Sequence, residues 1–414
     1  MTGIWHFQGL GGREIDPPRT AIRPAAARPP IPPATPGGAA GYLRPYANDQ
    51  LNSRVVTALP QGPWALRWRV DLHPRFTPSF VLQGGDRVVV QAGELRLLDL
   101  DGGPIATGRV GGGPIVLDPD HGLFYRFLPG SFFAACQLAD GRQLYLINPS
   151  RGDMATRPFL ARRGDRLAFV ALERALDPHG HHVPDTSRVE VLDIGGPVQM
   201  DALELLRIRS SPGEIQFPMA HLLAALAGDT LVCAAPGRIY RVDLDLNIVV
   251  ALEGDFAPLA MSLDEAGRIY LVVATPERRE LWLLTPEGER IYAAALPKTA
   301  ADPICPPIVG HDHTAYLLLG PWIHAVGAGG ELRWSRAAGG ALAGAIVTGD
   351  DRLVTVEGNE IAAYNATGER RALAALPGAA LCTPPVLTGR GEFLVASPER
   401  AYCLSPGPGT GGAR

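Results

Sequence analysis

Histidines in two short runs are the side chains of this chain best suited to metal chemistry. His179, His181 and His182 stand in LDPHGHHVPDTS beside Asp177 and Asp185, and His311 and His313 flank Asp312 in GHDHT. Imidazole with carboxylate suits zinc or another borderline cation. Each run is also rich in the polar residues of a hairpin tip, and a solvated turn is the plainer reading of both. His179, His181 and His182 remain candidates for a low-affinity ion site. The five cysteines, Cys136, Cys233, Cys305, Cys382 and Cys403, are widely spaced and form no CxxC pair. That spacing argues against a disulfide framework or a structural zinc site. Four of them fall in expected strands, where cysteine behaves as a small buried hydrophobe. Nucleophile chemistry is as thinly supplied. The chain has no G-x-S-x-G elbow, no P-loop and no H-E-x-x-H helix. Ser131, Ser210 and Ser211 fall in expected loops with no base at a suggestive spacing.

The elements that must position these residues repeat. A short apolar strand ending in a small polar turn recurs eight times, with apolar runs starting near 95, 143, 189, 238, 280, 323, 360 and 400. That period of roughly 37 to 49 residues matches a four-stranded propeller blade. Blade 5 is the clearest: APLAMSL, RIYLVVAT, ELWLLTP and RIYAAALP, separated by DEAG, PERR and EGE. The expected inner strands, PMAHLLA, APLAMSL, CPPIVG and LAGAIVT among them, are apolar and small. They lack the convergent carboxylates a hard cation would need. The HGHH run falls between the second and third strands of blade 3, and GHDHT between the first and second of blade 6. Those connections leave opposite faces of a propeller, so the two runs cannot share one ion. The last copy supplies three strands, LCTPPVL, EFLVAS and RAYCLS, whereas ALRWRVDL (65–72) has no blade of its own. Placed as the fourth strand of blade 8, it closes the ring and covers two sheet edges.

The expected fold is therefore all-β, an eight-bladed β-propeller closed by an N-terminal strand, with seven blades as the alternative if blades 2 and 3 are irregular. It occupies residues 61–405. Residues 17–60 read as a Pro/Arg-rich linker containing RPAAARPPIPPATPGG, stiff and short of apolar surface. Residues 406–414 read as a disordered tail.

The phrases ending in D-x-D-G or T-x-E-G-E, and the Trp-bearing strand in GELRW (330–334), resemble the PQQ-like, quinoprotein-alcohol-dehydrogenase-like propeller repeat. The resemblance spans roughly residues 64–405. Within that family the quinone-dependent dehydrogenases are exported enzymes with a vicinal disulfide and a calcium or lanthanide held by Glu, Asn and Asp. This chain has no adjacent cysteine pair. The resemblance therefore implies the scaffold type, exemplified by the outer-membrane assembly lipoprotein, which keeps the ring without the cofactor. No cofactor is expected.

Composition narrows the partners. The net charge is −4, and residues 1–60 carry six arginines against three acidic residues, leaving the propeller itself acidic. That balance argues against a nucleic-acid face. Lys298 is the only lysine, as in a chain from a GC-rich bacterial genome. No stretch reaches the roughly 18 apolar residues of a membrane span, and the N-terminus lacks a secretory pattern. A cytoplasmic protein is expected. Residues 1–16 form a candidate docking peptide in which Ile4, Trp5, Phe7 and Leu10 would anchor an interface; packing back on the propeller is the alternative. Phe132 and Phe133, in LPGSFFAACQLADG (128–141), would stand near the turn between the second and third strands of blade 2. They form either an interaction knob or a longer strand pair. The expected function is a non-catalytic scaffold or adaptor for protein partners in a larger assembly. The alternative is an enzyme (a hydrolase or degenerate quinoprotein) or a small-ligand or metal binder using loops on one face.

Overall fold

The computed structural model of the chain describes residues 58 to 407, except 73–79, 85, 92–93, 110–114, 119–121, 129–131, 148–152, 155–158, 161–165, 174–185, 194–207, 211–214, 217–222, 265 and 298–300. The candidate docking residues Ile4, Trp5, Phe7 and Leu10 and the histidines His179, His181 and His182 lie outside the described residues.

All regular structure among the described residues is strand, paired antiparallel. The first strand, β1 (Trp64–Asp71), pairs with the last rather than with its sequence neighbours. Sheet 1 is β2 (Phe80–Gly84), β3 (Arg87–Gln91), β4 (Glu94–Asp99) and β5 (Pro104–Arg109). Sheet 2 is β6 (Ile115–Asp118), β7 (Leu123–Leu128), β8 (Phe132–Gln137) and β9 (Gln143–Ile147). Sheet 3 has broken outer positions: β10 (Asp153–Met154) and β11 (Phe159–Leu160) pair with β12 (Arg166–Glu173), which pairs with β13 (Thr186–Asp193). On its other edge β13 takes β14 (Ile208–Ser210) and β15 (Ile215–Gln216). Sheet 4 is β16 (Leu223–Ala227), β17 (Thr230–Ala235), β18 (Arg238–Asp243) and β19 (Ile248–Glu253). Sheet 5 is β20 (Ala257–Leu263), β21 (Ile269–Ala274), β22 (Arg279–Leu284) and β23 (Arg290–Ala295). Sheet 6 is β24 (Ile308–Val309), β25 (Ala315–Leu319), β26 (Trp322–Val326) and β27 (Leu332–Ala337). Sheet 7 is β28 (Leu342–Val347), β29 (Leu353–Glu357), β30 (Glu360–Tyr364) and β31 (Arg370–Ala375). The last sheet joins β32 (Val386–Leu387), β33 (Phe393–Ala396) and β34 (Arg400–Pro406) to β1 at its outer edge.

The strand sequences explain the layering. Middle strands such as IYLVVA (β21) and AYLLL (β25) are buried along their length, which suits a strand covered on both faces. Outer strands such as IVVALE (β19) and RIYAAA (β23) are largely exposed or half-buried. Apolar clusters join consecutive sheets: Val191 with Cys233, Ile239 with Leu271, Leu281 with Leu317, Ile323 with Ala362, and Leu97 with Ile115. One cluster then returns to the start, holding Val356 of sheet 7, Phe393 of the last sheet and Val88 of sheet 1. Trp64, Trp68 and Val70 of β1 pack against it.

A recurrent joint fixes five of the sheets on the sheet before them. The turn between the third and fourth strands reverses through a residue of positive φ, Gly102, Gly141, Gly288, Gly330 and Gly368 in five sheets. A Cβ on these glycines would lie 2.8 Å from Trp68, 2.9 Å from Ala106, 2.4 Å from the backbone at Ala251, 2.9 Å from Tyr292 and 2.7 Å from Trp334. In each case the covering residue belongs to the fourth strand of the preceding sheet. A β-bulge precedes the covering side chain in most of these pairs, at Leu66/Trp68, Leu283/Leu284 and Ala325/Val326, and re-aims it onto its neighbour. Trp68 and Trp334 also donate their indole N–H to Leu100 O (2.8 Å) and Ala366 O (3.1 Å) of the next sheet.

Four expectations shift. The first strand of sheet 4 is LAALA (β16) rather than PMAHLLA: alternation of small and larger apolar residues pairs it with β17 from Leu223 onward. Three cysteines, not four, lie in strands; Cys305 and Cys382 precede β24 and β32, where prolines deny the ladder its donors. Ser210, expected in a loop, ends β14 opposite Glu190. Leu59, placed in the linker by composition, is buried in the cluster beside β1 and donates its N–H to Asp350 Oδ1 at 3.0 Å.

Candidate functional site

Antiparallel alternation puts the first–second and third–fourth strand turns at one end of the sheets, and the other connections at the opposite end. GHDHT is a turn of the first kind, between β24 and β25. His313 holds positive φ (62°), a conformation with local strain for a side chain of this size. Its Nδ1 lies 2.8 Å from Nη2 of Arg268, which is tied to Asp264 of the preceding sheet at 2.7 Å. The backbone N–H of His311 donates instead to Asp351 Oδ1 of the following sheet, at 2.6 Å. Asp312 accepts from Thr314 Oγ1 (2.7 Å) and Arg333 Nη1 (2.8 Å). Neighbouring turns thus face in different directions and are stitched in series, ending on Asp350 and the N–H of Leu59. Arg67 of β1 continues the belt to Glu392 and Asp101. Among the described residues no three His, Cys, Asp or Glu side chains gather as a metal-ligand set. The belt is a clasp between sheets.

The titration behaviour of the buried groups fits the same view. Burial pushes the Cys136 and Cys382 thiols up to about 11 and those of Cys233 and Cys403 up to about 12, away from the thiolate a nucleophile requires. Burial would raise the Glu280, Asp312 and Glu357 carboxyls, but hydrogen bonds and arginines outweigh it and hold all three below the usual carboxylate range. Such groups are ionised structural acceptors rather than poised proton donors. Glu357, its side chain fully buried, takes Thr355 Oγ1 (2.6 Å), Tyr364 OH (2.7 Å), the N–H of Gly339 (2.6 Å) and Arg370 Nε (3.0 Å). His324 is buried with Nδ1 2.7 Å from Ser335 Oγ, and burial lowers its pKa.

A concave feature lies elsewhere, between sheets 4 and 5. A groove of about 540 Å³ is lined by Leu252 and Glu253 of β19, the 254–256 link, Thr275, Pro276 and Glu277 of the β21–β22 turn, Glu280 and Trp282 of β22, and Arg290. Phe256 and Trp282 meet edge-to-face with centroids 5.1 Å apart and form its apolar floor. Trp282 Nε1 donates to Glu280 Oε2 at 2.7 Å, and the Arg290 guanidinium sits 5.2 Å from the indole centroid. Glu280 also takes Arg278 Nε at 2.8 Å, and Glu253 pairs with Arg238 at 3.0 Å. Asp255 and Glu277 are exposed on the rim. Sequence reading missed this groove, because its walls come from two repeats; the one local signal was Trp282 set between Leu281 and Leu283.

Phe132 and Phe133 open β8, opposite Leu128 and Phe127 of β7. The connection between these strands is only three residues long, so the aromatics belong to a strand pair and not to a long turn. Stacked antiparallel sheets that pack in series and return to the first set the architecture.

The fold is a β-propeller. Solved structures agree with that geometry. The chain resembles the Dos1 propeller with a TM-score of 0.63 and 8% identity, covering 83% of this chain and 95% of that one. It resembles the computationally designed Ika8 protein with a TM-score of 0.58 and 10% identity, over 79% and 96% of the two chains. BamB from Moraxella catarrhalis superposes with a TM-score of 0.52 and 11% identity, over 83% and 97%. At these identities the likeness concerns the fold alone. No family model and no curated protein matches the sequence.

Proposed function

We propose that this chain is a non-catalytic scaffold: an eight-bladed propeller, closed by β1, that binds protein partners in a larger cytoplasmic assembly. The observation that carries the reading is a run of exposed aliphatics on the outermost strands of successive sheets. Val249 and Val250 on β19, Ile291 on β23 and Leu332 on β27 are 46 to 58% exposed. Large apolar side chains on consecutive unpaired edges are costly unless a partner covers them. A rigid ring presents that band without further ordering, which keeps the entropic cost of binding low. The aromatic peptide carrying Ile4, Trp5, Phe7 and Leu10 acts as a tether that raises the local concentration of the partner. The ionised, structurally engaged carboxylates and protonated thiols favour this role over an enzyme.

The test is an affinity pull-down from the native host with the full chain, the chain lacking residues 1–45, and Val249→Asp/Ile291→Asp. A partner retained by the full chain and lost from either variant supports the scaffold. Turnover of a substrate by the isolated protein, or equal retention by all three, overturns it.

A further inference from the structure

We infer that the groove between sheets 4 and 5 is the seat of this chain's own segment Arg23–Pro33, RPAAARPPIPP. The groove has an aromatic floor, Phe256 against Trp282, and a rim on which Asp255 and Glu277 carry exposed carboxylates beside Glu253 and Glu280. Arg290, already stacked on Trp282, is the single basic residue among its lining. Such a surface is matched by a segment that is apolar, stiff and cationic. Proline-rich chain is held near polyproline II before it binds, so it loses little freedom on docking, and aromatic-lined grooves are its usual seat. Arg23 and Arg28 supply the charge that the rim lacks, and residues 1–60 as a whole carry six arginines against three acidic residues.

Length permits docking within one molecule. The described chain begins beside Leu59, whose N–H is held by Asp350, and 24 residues lie between Pro33 and residue 58. Extended, they span about 80 Å, several times the ~19 Å across four strands of one sheet. Docked there, the linker holds residues 1–16 near β19 and β23, whose exposed Val249, Val250 and Ile291 border the groove's strands. This inference concerns the isolated protein and stands or falls whether or not a partner is found.

Hydrogen exchange on the full chain tests it. In wild-type protein the amides of 252–256 and 275–282 are expected to exchange slowly. In Arg23→Glu/Arg28→Glu they are expected to exchange about tenfold faster, as when charge-assisted contacts are lost. Adding Asp255→Arg/Glu277→Arg to that variant restores protection, a rescue that a purely structural disturbance would not give. Unchanged exchange in the arginine variant, or absence of rescue, overturns the proposal. Protection that rises with protein concentration also overturns it, since the arm would then be docking on a second copy.

Discussion

Glu357 draws four hydrogen bonds onto one buried carboxylate, which satisfies a hydroxyl, a phenol, a backbone amide and a guanidinium. Glu357→Ala leaves those donors unpaired and is expected to lower stability by about 3 kcal/mol in urea titrations. Acid acts on the same group. Its folded pKa lies below the unfolded value of 4.5, so its contribution is present at neutral pH and is lost as pH falls through the folded pKa. His324 adds a second, higher window. Burial lowers its folded pKa below 6.5, so below that pH the unfolded chain binds a proton the native state refuses. Stability should therefore begin to fall near pH 6.5 and again below about 4.5. His324→Leu is expected to remove the upper limb alone, as read from urea midpoints between pH 8 and 4.

The element that joins the two ends of the described chain in one sheet is β1. Its pairing with β34 runs from Trp64↔Pro406 to Asp71↔Arg400, and the bond from Leu72 N–H to Glu399 O extends it at 2.6 Å. Buried Leu59 contributes about 1.5–3 kcal/mol, and half-buried Trp68 adds a part of such a contribution. Deleting residues 1–57 is expected to leave the melting temperature nearly unchanged, whereas deleting 1–72 should unfold the ring or lower it by more than 10 °C. Equal melting temperatures would refute closure by this strand. The joint between sheets can be tested at one atom. Gly102→Ala and Gly368→Ala each force a Cβ into an indole at positive φ. Each is expected to cost about 2 kcal/mol or more, whereas Gly122→Ala, with open space around it, should cost only the backbone strain of about 1 kcal/mol.

At the scale of the whole molecule, function is a matter of which surfaces are left uncovered. The strand interiors are consumed by packing between sheets, and the polar turns at one end are consumed by the clasp running from Asp264 to Leu59. Among the described residues the surfaces left include the outer band of Val249, Val250, Ile291 and Leu332 and the groove at sheets 4 and 5, the seat inferred for Arg23–Pro33. Val249→Asp/Ile291→Asp touches only solvent-facing positions, so it should abolish partner retention while moving the melting temperature by less than about 2 °C. A large loss of stability would show instead that these residues serve the ring itself.

The repeat length, the apolar middle strands and the orphan strand ALRWRVDL were legible in the chain because each is a local pattern, set by alternation, burial and turn chemistry. The Trp-bearing strand in GELRW was legible for the same reason: Trp334 had to cover something, and the flexible backbone of a glycine turn admits it. Direction across repeats was not legible. GHDHT reads as ligand chemistry, but His313 turns to Arg268 of one sheet and the His311 backbone to Asp351 of the next. Nothing in the five letters records that divergence. Leu59 looked like linker because it precedes the first expected strand and stands before Pro60, yet the fold brings the cluster around β1 against it. The groove, with Phe256 from one connection and Trp282 from a strand 26 residues later, exists only where two sheets meet. Sequence determined the strands, because their pattern is written residue by residue; tertiary structure decided the site, because contact between distant repeats depends on how the sheets are stacked.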